Sequence, residues 1–146
     1  TGAMGNRGLQ IFDAQKMLDG KPEYIVFNGR EPGAAGTMNV KTGDRVRLYV
    51  GNGGVNLISS FHVIGEIFDS VYPEAAMGLG TDVHKNIQTT IIPAGGASVV
   101  DFVVDVPGKY ILVDHALSRL DRGAWGILDA VGDPNPETFS GSADGH

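Results

Sequence analysis

Glycine sets the grain of this chain. It supplies 22 of 146 residues, about twice the usual ~7%. The glycines fall in steps such as Gly53-Gly54, Gly95-Gly96 and Pro107-Gly108, between short runs rich in valine and isoleucine. Each glycine inside a helix costs about 1 kcal/mol relative to alanine, so frequent glycine breaks leave little room for long helices. They favour short strands joined by tight turns. The expected strands are residues 24–29, 45–50, 56–64, 87–92, 97–106, 110–114 and 123–131. In the second run Val46, Leu48 and Val50 alternate onto one face. This spacing implies an all-β Greek-key sandwich or barrel. Short helical segments are expected at 9–20, unless that stretch is an irregular arm, and at 117–122. Residues 69–86 read as a long connection, of a length that points to a functional or interface loop. The opening Thr1-Gly2-Ala3-Met4-Gly5 reads as an expression remnant. The expected layout is therefore a flexible start over 1–8, one domain over 9–133, and a flexible tail over 134–146.

Two of the expected strands end near a histidine, in Ser59-Ser60-Phe61-His62-Val63-Ile64-Gly65-Glu66 and in Tyr110-Ile111-Leu112-Val113-Asp114-His115. Imidazole binds transition metals and, as a class, carries or releases a proton near neutral pH. There is no cysteine, so the chain cannot build a blue-copper centre of its own, which requires a thiolate. The net charge of −6 and the lack of any Lys/Arg cluster argue against a nucleic-acid partner. No apolar run approaches the ~20 residues of a membrane span.

The run from Ser59 to Tyr72, the segment Ile87 to Gly96, and Pro107-Gly108-Lys109-Tyr110-Ile111-Leu112-Val113-Asp114-His115 resemble the C-terminal cupredoxin domain of copper-containing nitrite reductases. The resemblance extends from about Leu9 to Glu137. It implies a cupredoxin sandwich that works beside an N-terminal cupredoxin domain, within a homotrimer of the periplasm or cell envelope. There, nitrite is reduced to nitric oxide with electrons from a redox donor protein. Under this resemblance His115 is the third ligand of a type 2 copper, and His62 is the catalytic histidine that contacts substrate and delivers protons. Ile64 is the apolar side chain that restricts how nitrite sits, and Gln88 and Thr89 are polar groups that orient the catalytic histidine. Ala116 stands where a blue-copper cysteine would follow, so no type 1 copper is expected in this domain. The remaining copper ligands would lie outside this chain, which alone would be inactive.

Plainer readings stand beside these. The domain could be a metal-free cupredoxin module for assembly or partner docking, with both histidines as passengers. A multicopper oxidase domain is disfavoured because the chain lacks the paired His-x-His segments of that group. His84 and the terminal His146 read as exposed, Glu66 and Asp69 as solvated carboxylates, and Tyr110 and Trp125 as core. Asp114 must face away from His115. Arg119 and Arg122 read as interface or solvent-facing charges.

Overall fold

The computed structural model describes residues 7–9, 11–30, 36–138 and 140. The expected remnant at 1–5 and His146 lie outside the described residues. Among these residues, nine strands follow a short helix, α1 (Ala14–Leu18). They are β1 (Thr37–Lys41), β2 (Arg45–Gly51), β3 (Ser59–Ile64), β4 (Phe68–Pro73), β5 (His84–Ile87), β6 (Thr89–Ile92), β7 (Ala97–Val103), β8 (Gly108–Asp114) and β9 (Trp125–Val131). One helical turn, α2 (Leu117–Leu120), joins β8 to β9.

The strands form a five-stranded sheet in the order β1-β9-β8-β3-β6 and a four-stranded sheet in the order β2-β7-β4-β5. Most consecutive strands lie in different sheets, as a Greek-key sandwich requires. Between the sheets sits a core of Phe61, Val63, Phe68, Val71, Ile92, Val100, Phe102, Val104, Leu112 and Leu128, all nearly or fully buried. Phe61 stacks on Phe68 at 6.0 Å between ring centroids, and Phe68 meets Phe102 at 5.9 Å. This aromatic column anchors β3 through the residue next to His62.

Where alternation is strict, the strands form as expected. Val46 is buried on β2, while Arg45, Arg47 and Tyr49 face outward. Opposite Arg47 in register stands Asp101 of β7. The two make a bidentate pair with both N···O distances at 2.6 Å, and the guanidinium lies over the Tyr72 ring.

Three expectations fail. Residues 24–29 form no strand: Phe27 packs against Phe61 at 6.4 Å, but the backbone joins no ladder and closes in the Asn28-Gly29 turn. Residues 69–86 are not one connection, because β4 and β5 lie largely within them. Phe68 and Val71 are both fully buried although three positions apart, a spacing that erases the period-2 signal of a regular strand. Finally, the run 87–92 is cut in two at Gln88. Below it β5 pairs with β4, and above it β6 pairs with β3, so the chain changes sheets there. Asn86, inside β5 and two residues before the crossing, has a positive φ of 55°.

Candidate metal centre

The two histidines meet on the outer face of the five-stranded sheet. In register, His62 opposes Val113 on β8 and Thr89 on β6, so these three side chains share that face. His115, two residues beyond Val113, returns to the same face. The His62 and His115 ring centroids are 5.4 Å apart, with the ring planes 56° from parallel. His62 is only 6% exposed, whereas His115 is open to solvent.

The sheet crossing at Gln88 supplies the partner of His62. Gln88 is in neither ladder's register, and its main-chain oxygen lies 2.5 Å from His62 Nδ1. A carbonyl only accepts, so Nδ1 carries the hydrogen and Nε2 is left for other chemistry. The contact at 88 is thus made by the backbone; the Gln88 side chain is exposed. Thr89 stands across from His62 in register and is also exposed. Ile64, at the end of β3, is 41% exposed on the histidine face and pairs with the half-open Ile111. Ile91, paired with Ser60 on this face, is 70% exposed. The histidine pair therefore sits in a rim of uncovered isoleucines.

Among the described residues, no group of three or more His, Cys, Asp or Glu side chains could hold a metal ion. A soft-to-borderline metal such as copper suits imidazole nitrogen, and the exposed ring of His115 is chemically suited to offer one such nitrogen. A cavity of about 910 Å³ lies between the 11–29 arm and the barrel, lined by Phe27, Phe61, Ile92 and Leu112. Neither histidine lines it.

The other singled-out residues go elsewhere. His84 opens β5 instead of lying in a loop, and is exposed. Asp69 pairs with Arg45 at 3.3 Å. Glu66 is half-buried beside Tyr110, a residue of the inner sheet face, and so lies away from the histidines. Burial raises its carboxyl to about 7, with the Asp105 charge adding to the shift. Tyr110 is core, its hydroxyl donating to the Val106 carbonyl at 2.6 Å, while Trp125 is only partly buried. Arg119 and Arg122 each have a partner within the chain. Arg119 pairs with Asp114 and donates to the Ile58 carbonyl, and Arg122 donates to the Pro22 carbonyl. Sequence spacing carries no signal for these three contacts.

No protein-family model matches the chain. A copper-containing nitrite reductase of Neisseria meningitidis (serogroup A) is 52% identical over 142 residues, covering 95% of this chain and 36% of its own length. The copper nitrite reductase structure of Nitrosomonas europaea superposes with a TM-score of 0.73 at 32% identity, covering 86% of this chain and 46% of that one. A Cu-containing nitrite reductase of Thermus scotoductus gives 0.71 at 34% identity, covering 83% of this chain and 28% of that one. The chain spans about a third of the length of the curated relatives it matches. Over nearly its whole length, then, this chain is a homologue of copper-containing nitrite reductases and has their cupredoxin fold.

Proposed function

We propose that this chain is the C-terminal cupredoxin domain of an enzyme that reduces nitrite to nitric oxide, and that it supplies half of a shared active site. The carrying observation is the pairing of His62 and His115 on one face, with His62 already committed through Nδ1 to the Gln88 carbonyl. His115 is a ligand of a type 2 copper whose remaining ligands belong to an N-terminal cupredoxin domain of a neighbouring subunit in a homotrimer. The uncovered isoleucines around the pair support such a neighbour, since exposed apolar patches mark interaction surfaces. The domain carries no type 1 copper of its own. No helix among the described residues is long and apolar enough to cross a membrane. The reading places the enzyme in the periplasm or cell envelope, with a redox donor protein as electron source.

Copper, when bound, supplies a one-electron couple and an open coordination position for nitrite. Reduction consumes two protons and one electron per nitrite and yields nitric oxide and water. His62 serves the proton demand. The Gln88 carbonyl fixes its tautomer and ring angle, so Nε2 is the atom that holds a proton toward nitrite and gives it up. Burial of His62 keeps the ring in place, and Ile64, two residues on and on the same face, is the apolar side chain that would restrict how nitrite sits. Replacing His62 with alanine in the full-length enzyme is expected to lower nitrite turnover by about 10²–10⁴-fold, the usual worth of a positioned acid or base. The pH profile of turnover should change with it. Turnover and pH profile unchanged in that variant would favour the metal-free docking module instead.

A further inference from the structure

We infer that Asp114, locked by Arg119, is a positioning residue that aims His115 at the metal; the inference rests on the ligand reading above. No hydrogen bond among the described residues holds the His115 ring, whose one ring contact is with His62. Its direction is therefore set by the backbone that carries it. That backbone lies at the very end of β8, where a strand would ordinarily fray.

Asp114 prevents this from the opposite face of the strand. The residue is only 4% exposed. Oδ1 accepts from the N–H of Ser60 at 3.2 Å and from the N–H of Ala116 at 3.1 Å. The N–H of His115 in turn donates to the Ser60 carbonyl at 2.7 Å. Ser60 is thus tied twice to the segment around His115, once through the carboxylate and once directly. Because the carboxylate takes the Ser60 N–H that a backbone carbonyl would take in a continuing ladder, the chain can leave the sheet after His115 without stranding that donor. Ser60 stands two residues before His62 on β3, so the same knot ties the two imidazoles to each other.

Arg119 makes the knot tenable. A buried carboxylate is costly unless paired, and Arg119 Nη1 donates to Oδ2 at 2.8 Å while also donating to the Ile58 carbonyl. The guanidinium thereby clasps the loop after His115 to the approach of β3. The other end of that loop is held where the Asp114 N–H donates to the Ala124 carbonyl at 3.1 Å. Residues flanking His115 are fixed on both sides, while its ring is left free for a metal.

The test compares Asp114→Ala, Asp114→Asn, Arg119→Met and His115→Ala in the full-length protein, loaded with Cu²⁺. Copper affinity is read by chelator competition, type 2 copper geometry by electron paramagnetic resonance, and folding by thermal unfolding of the copper-free protein. Loss of a group that orients a ligand typically weakens metal binding 10–100-fold. Asp114→Ala should fall in that range and shift the resonance parameters. Asp114→Asn, which keeps an acceptor oxygen for both N–H groups, should recover part of the affinity. If Asp114→Ala does not fold, Asp114→Asn and Arg119→Met carry the same comparison. A purely structural role would lower the unfolding temperature and leave affinity and spectrum at parental values; that result overturns the inference. Should His115→Ala itself retain copper at parental affinity, the ligand reading fails and the inference with it. Release by His115→Ala alongside parental binding by the Asp114 variants would refute the positioning role alone.

Discussion

Gly65 closes β3 just past the histidine face, and its replacement by alanine has a cost that can be worked out from two separate strains. The residue sits at φ +100°, a region L side chains rarely adopt. Holding a non-glycine residue there costs about 1–3 kcal/mol. A Cβ at this position would lie 3.0 Å from Tyr110 Cδ1 and 3.1 Å from Cε1. The Tyr110 ring cannot easily retreat, because it is buried and its hydroxyl is bonded to the Val106 carbonyl at 2.6 Å. Overpacking of this kind adds about 1–3 kcal/mol. Since one backbone adjustment relieves part of both strains, Gly65→Ala should destabilise the protein by about 3 kcal/mol. Urea unfolding would show it as a lower midpoint at unchanged m-value. In a Tyr110→Leu background the overpacking should disappear, leaving about half the cost. A loss below about 0.5 kcal/mol in the parent, within the range of neutral surface changes, or an equal loss in both backgrounds, would refute the reasoning.

Two predictions concern charge. Burial, aided by the Asp105 charge, raises the Glu66 carboxyl to about 7 in the fold, against an ordinary 4.5. A raised carboxyl favours folding while protonated, so its support is complete below 4.5 and is lost as pH rises from there through about 7. Solvent screening of this half-open group limits the loss to about 1–2 kcal/mol. Glu66→Gln, which stays neutral, should therefore gain stability relative to the parent between pH 4.5 and 8, and a pH-independent difference in Tm would contradict this. Asp101 behaves in the opposite sense: the Arg47 guanidinium bonded to it holds its carboxyl below the ordinary range. Its contribution is present at neutral pH and lost as pH falls through that lowered value. Asp101→Asn should cost about 2–3 kcal/mol by denaturant titration, less than a fully buried pair because Arg47 keeps water contact. The deficit should shrink at strongly acidic pH.

The parts of the fold that could be read from the sequence are those where one physical signal dominates. β2 alternates strictly, and β8 and β9 are framed by Pro107-Gly108 and Gly123. β1 carries no such signal because it is largely exposed and is held by parallel pairing with β9, a contact about 90 residues away in sequence. β4 gives no strand signal because its buried residues do not alternate, and the 24–29 run resembles a strand because its side chains pack on the core without backbone pairing. The sheet change at Gln88 leaves no mark in an otherwise uniform β-prone run. At the site, the histidines themselves were conspicuous, and the placement of Asp114 on the opposite face follows from alternation alone. What that face does for His115 depends on Arg119 and Ser60, and the partner of His62 is a backbone oxygen. Neither can be inferred from residue type, because neither contact follows a helix or strand period.

The central claim, that His115 is a metal ligand and His62 its catalytic neighbour, is tested most directly by copper content. In the full-length protein, the type 2 copper signal and metal stoichiometry would be measured for the parent, His115→Ala and His62→Ala. The account predicts loss of most of that copper in His115→Ala and its retention in His62→Ala, with nitrite turnover abolished or severely reduced in both. Undiminished type 2 copper in His115→Ala would contradict it.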